Sequence, residues 1–246
     1  MSISKNQIKN IIALHSKKNR KEEGLFFVEG EKIAEEVISQ SRFTIDAIYA
    51  TENWIDDHEE VLSKSSFTVY ECNENELKKI SALTNPNKVL VVLKLNENKF
   101  IEPVHTSILL DNIQDPGNLG SIIRIADWFG IENIYCSEDS AEFTNPKVLQ
   151  SSMGSFLRVN VNYVNLKEFL LQYSDFPCYA AVLNGKDVRQ VAISERCFLL
   201  IGNESKGISS ELVDLDLLKI SIPRFGAAES LNAAVATGIL CAMIKN

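Results

Sequence analysis

The chain has 246 residues, 45% of them hydrophobic, and a formal net charge of −8, a composition that suits a globular protein with one large core or two smaller ones. No apolar run approaches the roughly 18 residues of a membrane span, and the segment MSISKNQIKN lacks the apolar centre of a signal peptide. We therefore expect no membrane segment and a cytoplasmic location. The five cysteines form no CxxC pair and lie apart from the three histidines, so we expect free core thiols and no metal site.

The net charge is unevenly distributed along the chain. The first 21 residues carry +6 and no acidic residue, whereas the remainder carries −14. The acidic balance of the whole chain argues against a nucleic-acid partner, because phosphate binding requires clustered lysine and arginine. For the basic segment two interpretations stay open: a solvated helix face, or an arm that contacts phosphates. In the second interpretation the contacts come from Lys17, Lys18, Arg20 and Lys21.

The first part of the chain predicts a small α/β domain over residues 1–95. The stretch GLFFVEGEKIAEEVI indicates a strand at 26–28 that leads into a helix with one apolar side. Further strands are predicted at DAIYA, FTVYEC and KVLVVLKL. The polar segment NENKFIEPVHT lacks periodicity and contains Pro103, which is typical of a linker over 96–106.

The second part, residues 107–246, alternates short apolar strands with helical stretches. Strands are predicted at 107–110 and at NIYC, VNYV, CYAAVL, CFLLIG and LLKISI, with helices such as NPKVLQSSMGSF and NLKEFLLQY between them. This alternation predicts a mostly parallel sheet that is covered on both faces. Sheets of this kind bind ligands beyond the carboxyl ends of their strands, so the loops at those ends are the candidate sites.

The first such loop lies in DNIQDPGNLGSIIRIADWFG, which predicts a strand end, a tight turn and a helix. The apolar residues of the helix, Leu119, Ile122, Ile123 and Ala126, recur at helical spacing. Arg124 lies off this stripe, so the pattern turns it out of the core and toward a polar ligand.

Two further loops carry polar residues, in CFLLIGNESKGIS and in ISIPRFGAAESLNAAVATGILCAMI. The stretch 202–207 has the glycine spacing of a P-loop, but Ile208 stands where the phosphate-binding lysine is required. The first loop has no G-x-G-x-x-G, so a dinucleotide fingerprint is absent as well. The segment LNAAVATGILCAMI is apolar nearly all round, which predicts burial on more than one side.

Taken together, DPGNLGSIIRIADWFG, LLIGNESKGIS and IPRFGAAESLNAAVATGI resemble, in order, the three motifs of the SpoU (TrmH) family of RNA ribose 2′-O-methyltransferases. The stretch KKNRKEEGLFFVEGEKIAEEVI is similar to the L30e-like substrate-binding domain that precedes the catalytic domain in many members. The resemblance implies a SPOUT α/β domain with a C-terminal trefoil knot, which pattern alone does not suggest. It also implies S-adenosylmethionine as methyl donor, no metal, and a homodimer with its active site at the interface.

The resemblance also assigns site residues. The main chain of Gly202, Ile222 and Leu231 would hold the cofactor, while a turn glycine and two core residues are the alternatives. The polar active-site positions fall on Asn118, Arg124, Glu204, Ser230 and Asn232. Helix capping is the alternative for Asn118 and Ser230, and a favourable helix end is the alternative for Glu204.

The roles of two active-site residues stay open at this stage. The family's proposed base corresponds to Arg124, yet a guanidinium does not readily give up its proton, so the protonation role of Arg124 stays open. Glu204 is a rival base by its chemistry, although the resemblance favours an ionic and hydrogen-bonding support role for it. Arg224 departs from the methionine often found after IP, and adds a positive charge near the presumed RNA face. The L30e-like domain favours ribosomal RNA over tRNA as substrate. A non-catalytic RNA-binding homologue, the other alternative, should have lost some of these polar residues.

Overall fold

The computed structural model of the chain describes residues 2–40, 42–96 and 100–244. The helices are α1 Lys5–Ala13, α2 Lys17–Glu23, α3 Glu31–Ser39, α4 Glu52–Asp57, α5 Glu59–Leu62, α6 Glu74–Ile80, α7 Pro116–Trp128, α8 Pro146–Ser152, α9 Leu166–Gln172, α10 Ser210–Val213 and α11 Ala233–Ile244. The strands are β1 Leu25–Glu29, β2 Ile45–Ala50, β3 Thr68–Glu71, β4 Val89–Lys94, β5 Ser107–Leu110, β6 Asn133–Cys136, β7 Asn160–Tyr163, β8 Cys178–Asp187, β9 Phe198–Ile201 and β10 Leu218–Ser221. Each predicted strand is found within a few residues of its expected place.

The chain forms two units. The first comprises Met1–Glu97 with Thr144–Leu157, and the second comprises Asn98–Phe143 with Arg158–Asn246. The segment Thr144–Leu157 lies inside the predicted second domain along the chain, yet it groups with the first unit. The predicted limits of the domains at 95 and 107 stay a prediction, and residues 97–99 of the predicted linker lie outside the described residues.

The first unit is built on a four-stranded sheet in the order β1-β4-β2-β3. β4 is antiparallel to β1 and β2, and β2 is parallel to β3. α1 and α6 both begin with a capping box, in which the side chains of Ser4 and Asn73 accept a hydrogen bond from an amide three residues on. Their apolar faces pack on the sheet in a core that includes Ile11, Leu14 and Leu77.

The second unit contains a six-stranded sheet in the order β10-β8-β9-β5-β6-β7, and the described pairings are all parallel. The predicted parallel α/β fold is therefore confirmed. β5 and β9 are buried at every position, as expected for central strands covered on both faces. The strand order reverses between them, so the loops that follow β5 and β9 flank the crevice where such sheets bind ligands.

Two further predictions concern the cysteines and the membrane. The five cysteines are free and buried, as predicted. Burial raises the pKa of Cys72 and of Cys178 to about 12, so both thiols stay protonated. None of the helices in the described residues has the length and apolar character that a membrane crossing requires.

Candidate active site

The turn after β5 leads directly into α7 and supplies the N-cap of this helix. Asp111 is buried, and its carboxylate accepts a hydrogen bond from the Ser209 amide at 2.6 Å. Asp115 is the N-cap of α7: its side chain accepts from the Asn118 amide at 2.9 Å, and Pro116 occupies the first turn of the helix. The capping alternative for the Asn118 side chain is therefore wrong. The side-chain carboxamide of Asn118 can therefore bond to other residues.

The loop after β9 is closed by Asn203. Its main chain exchanges two hydrogen bonds with Gly207, at 3.0 and 2.8 Å, and its side-chain oxygen accepts from the amides of Ser205 and Lys206 at 2.9 and 3.0 Å. Its side-chain nitrogen donates to the Asn112 carbonyl at 2.8 Å, which ties this loop to the turn after β5. Asn203 thus fixes the place of the next residue, Glu204. Sequence reasoning did not assign Asn203 any role.

Gly202 is required by a close backbone approach inside the same loop. A Cβ atom at this position would lie 2.5 Å from the carbonyl carbon of Gly207 and 2.6 Å from the Ile208 nitrogen. Gly207 itself has a φ of 71°, in the left-handed region that favours glycine. The loop geometry explains this glycine without any ligand, and the predicted cofactor contact of Gly202 stays a prediction.

Three of the predicted active-site residues form one hydrogen-bonded cluster, which we call the Asn118 cluster: Asn118, Glu204 and Asn232. The Asn118 side-chain nitrogen donates to Glu204 Oε1, and the Asn118 side-chain oxygen accepts from Asn232 Nδ2 at 2.8 Å. Each residue comes from a different one of the three motifs. Asn118 and Glu204 are half-buried and Asn232 is exposed. Glu204 Oε2 has no hydrogen-bond partner among the described residues.

Asn232 also begins α11. Its side-chain oxygen accepts from the amides of Ala234 and Val235 at 2.9 and 3.2 Å, which leaves its nitrogen directed at Asn118. The capping alternative for Ser230 is therefore wrong, because the cap lies two residues further on. Ser230 is exposed, and no hydrogen bond to it occurs within the part of the chain that the structure describes.

Arg124 is not hydrogen-bonded to the Asn118 cluster. The apolar stripe of α7 is fully buried and Arg124 is exposed, as the spacing predicted. Its main chain belongs to α7, but its side chain makes no hydrogen bond or ion pair with another described residue. Its guanidinium is thus presented to solvent, where a phosphate could bind in a bidentate manner.

The loop 222–232 contains the other predicted cofactor contacts. Ile222 is half-buried, Leu231 is 45% exposed, and no main-chain hydrogen bond of either is seen in the described residues. Their amide and carbonyl groups are thus available to a ligand. Arg224 donates to the Ala228 carbonyl at 3.3 Å within the loop. Among the described residues, no group of three or more His, Cys, Asp or Glu side chains could hold a metal ion.

The basic segment of the first unit divides into exposed and buried members. Lys17, Lys18 and Lys21 of α2 are exposed. Arg20 is 2% exposed, and its guanidinium donates to the carbonyls of Leu14 and His15 at 2.9 and 3.0 Å and to the Thr144 hydroxyl at 3.3 Å. The structure does not support the phosphate contact predicted for Arg20, because this side chain is occupied inside the first unit.

Comparison with known protein families shows to which family the chain belongs. Residues 105–242 match the SpoU rRNA Methylase family, and residues 5–91 match the MRM3-like substrate binding domain. The chain belongs to the SpoU rRNA methylase family. The Asn118 cluster and Arg124 therefore lie in the methylase part of this family member, and α2 lies in its substrate-binding part.

Individual relatives agree with this membership along almost the whole chain. The 23S rRNA (guanosine(2553)-2′-O)-methyltransferase RlmP of Bacillus subtilis is 31% identical over 96% of this chain and 95% of its own. A TrmH-family protein from Porphyromonas gingivalis is 34% identical, with a TM-score of 0.85 over 99% and 98% of the two chains. An AdoMet-bound rRNA methyltransferase from Sinorhizobium meliloti is 28% identical, with a TM-score of 0.87 over 100% and 96%. The predicted family and the predicted RNA methyltransferase activity are confirmed.

Proposed function

We propose that this SpoU-family enzyme transfers a methyl group from S-adenosylmethionine to a ribose 2′-hydroxyl of 23S ribosomal RNA. The observation that carries the proposal is the Asn118 cluster, which joins one polar residue from each of the three motifs. The similarity to the Bacillus subtilis rRNA 2′-O-methyltransferase over 96% of the chain supports the substrate. The AdoMet-bound relative from Sinorhizobium meliloti supports the cofactor.

The residues present suit this cofactor. The main-chain groups of Ile222 and Leu231 are available for hydrogen bonds, and their apolar side chains can exclude water beside an adenine ring. Gly202 lies at the end of β9, the neighbour of β5 at the reversal of strand order. When bound, S-adenosylmethionine supplies an electrophilic methyl group on a sulfonium sulfur. The enzyme must then only align a ribose oxygen with that methyl and accept the hydroxyl proton.

We assign Glu204 as the group that accepts the proton of the ribose 2′-hydroxyl. Glu204 is the only carboxylate among the predicted active-site residues, and a carboxylate can act as a base, whereas a guanidinium is not deprotonated in proteins. Asn118 holds one carboxylate oxygen of Glu204, and the other has no partner in the described residues, so it can accept a hydrogen bond from the ribose hydroxyl. Asn232 fixes the orientation of the Asn118 amide at 2.8 Å. Arg124 binds the phosphate next to the target ribose.

We further propose that two copies form a homodimer through α7 and α11. Within one copy these helices pack on each other, and a Cβ atom on Gly238 of α11 would lie 3.6 Å from the Ile125 side chain of α7. Trp128 of α7 is 84% exposed and Val235 of α11 is 51% exposed. Trp128 lies one helical turn from Arg124, so a second copy that covers the indole would also lie beside the guanidinium. Arg124 of one copy would then reach the active site of the other. Light scattering at micromolar concentration should give the mass of a dimer, and a monomer would contradict this proposal.

The experiment that tests the activity is methyl transfer in vitro. Purified protein is incubated with labelled S-adenosylmethionine, a chelator and either unmethylated ribosomal RNA or tRNA. We expect transfer to ribosomal RNA that survives chelation, and transfer to tRNA alone would overturn the substrate assignment. Glu204→Gln should lower the rate of transfer while the affinity for S-adenosylmethionine, measured by calorimetry, stays nearly unchanged. A Glu204→Gln variant of full rate would exclude Glu204 as proton acceptor. The cytoplasmic location and the trefoil knot stay predictions.

A further inference from the structure

A cavity of about 390 Å³ is lined by residues of the first unit alone. Its lining combines the end of β1, the loop after α6 and one side of α8. The apolar floor is formed by Phe27, Val28 and Leu149, and polar side chains from three chain segments lie at its wall. This size is within the range of pockets that bind small organic groups. We call it the His15 cavity.

His15 presents an aromatic ring to this cavity in a fixed orientation. One face of the ring packs against buried Phe27, with ring centroids 5.0 Å apart and planes tilted by 35°. Its Nε2 lies 2.8 Å from the Ile80 carbonyl oxygen, and because a carbonyl only accepts, Nε2 is the donor. The residue is nonetheless exposed. An immobilised aromatic ring with solvent access is a stacking surface that requires little further ordering when a planar ligand binds.

The polar groups of the His15 cavity match the edge of a nucleobase. Glu29 is 6% exposed, and its carboxylate is fixed by hydrogen bonds from the Ser81 hydroxyl and, at 2.8 Å, from the Ala82 amide. A fixed carboxylate accepts further hydrogen bonds from ring N–H and amino groups. The side-chain amides of Asn145 and Gln150, from the other wall, offer both donors and acceptors.

The positive charge of the lysines around the cavity suits a nucleic-acid strand better than an isolated nucleobase. Lys147 lines the cavity and is exposed. Lys17 and Lys18 begin α2 only two and three residues after His15, and both are exposed. Lysines beside a stacking ring are the combination by which proteins hold single-stranded nucleic acid, with the backbone on the cations and the base on the ring. The matched substrate-binding domain, residues 5–91, contains His15, Lys17 and Lys18.

We propose that the His15 cavity binds one unstacked nucleobase of the RNA substrate, with His15 as the stacking surface and Lys17, Lys18 and Lys147 on the adjoining phosphates. The inference rests on the proposed function, since it takes RNA as the substrate. Sequence-specific RNA recognition generally uses bases that are splayed out of a helix and read by aromatic rings and polar edges. The first unit would therefore select the RNA, whereas the second unit carries the methyl transfer.

The test compares His15→Ala and His15→Phe, with His105→Ala as control because His105 is an exposed histidine of the second unit. The affinity for ribosomal RNA fragments is measured for each variant, together with the melting temperature and the affinity for S-adenosylmethionine. Stacking of one base contributes enough to predict a loss of about 10- to 100-fold in RNA affinity for His15→Ala. His15→Phe keeps a stacking face and should retain most of the affinity. His105→Ala should equal the parent.

A second arm uses RNA that lacks a base at one position at a time. In the parent enzyme one abasic position should weaken binding as strongly as His15→Ala does, and in His15→Ala the same position should have no further effect. Additive losses at every position would overturn the inference, as would a His15→Ala effect that follows the melting temperature and is not rescued by phenylalanine. If the parent enzyme neither binds nor methylates RNA, the proposed function itself fails. Parent activity with unchanged His15→Ala affinity refutes only the His15 cavity.

Discussion

Asn232 donates a hydrogen bond from its side-chain nitrogen to the side-chain oxygen of Asn118 at 2.8 Å, although 114 residues separate the two along the chain. Asn118 Nδ2 donates in turn to Glu204, so Asn118 is the middle member of a relay in which Asn232 orients the Asn118 carboxamide and that carboxamide holds one carboxylate oxygen of Glu204. The start of α7, the loop after β9 and the start of α11 are thereby held in one arrangement. We regard this cluster as the part of the second unit that determines how the ribose is presented.

Replacing Asn118 by alanine should separate catalysis from folding. The change removes both bonds of the Asn118 side chain, but Asp115 still caps α7 through the main chain of residue 118. We expect the single-turnover rate of methyl transfer to fall by about 10²-fold through misplacement of Glu204, with little change in melting temperature. Gln114→Ala, at an exposed position of the same turn, is the control. A large loss of stability would instead make Asn118 a structural residue.

Gly202→Ala should destabilise the loop after β9. Its Cβ would lie 2.5 Å from the backbone of Gly207, so the loop must shift. We expect a loss of about 1–3 kcal/mol in the free energy of unfolding, measured by urea titration, as for other overpacked sites. Gly226→Ala is the matched control, because no atom lies within 4 Å of its Cβ position. Equal stability of the two variants would show that the close approach has no energetic consequence.

The exposed lysines of α2 should contribute to the salt dependence of RNA binding. Changing Lys17, Lys18 and Lys21 together to glutamate should reduce the slope of log affinity against log salt by roughly 2, at about 0.7 to 0.9 for each phosphate that is no longer neutralised. The same change at Lys64, Lys78 and Lys79, which are also exposed in the first unit, alters the net charge equally and is the control. Identical slopes for the two triple variants would make α2 merely a solvated face.

Arg20 should behave differently from its lysine neighbours. Arg20→Ala removes three hydrogen bonds from a buried guanidinium, so we expect a loss of about 3 kcal/mol in the free energy of unfolding. Lys18→Ala, at an exposed position of the same helix, should change stability by less than about 0.5 kcal/mol. Urea denaturation of both variants measures the difference. A stable Arg20→Ala protein with weakened RNA binding would show that Arg20 binds phosphate after all.

Local pattern was sufficient to predict most of the fold and part of the site. The spacing of Leu119, Ile122, Ile123 and Ala126 predicted the buried stripe of α7 and the exposure of Arg124, because both follow from helix geometry. An Asp-Pro pair before a helix is a known start signal, so Asp115 could have been chosen as the cap in place of Asn118.

Other features depend on contacts that no local pattern contains. Asn203 bonds to Asn112 across 91 residues, and Arg20 bonds to Thr144 across 124 residues. The lysines of α2 and Arg20 have the same charge and lie within one short segment, so composition could not distinguish the buried cation from the exposed ones. The segment Thr144–Leu157 joins the first unit by packing, and its apolar pattern would suit a helix in either unit.

The most direct test of the proposed activity is to locate the methyl group after a single turnover. Unmethylated ribosomal RNA is incubated with the enzyme and S-adenosylmethionine, digested to nucleosides and analysed by mass spectrometry. We predict one new nucleoside that carries the methyl group on the ribose 2′-oxygen, and its absence after reaction with Arg124→Ala, whose melting temperature and cofactor affinity should match the parent. A methyl group on a base, or full activity of Arg124→Ala, would contradict the proposed activity and the role of Arg124 in it.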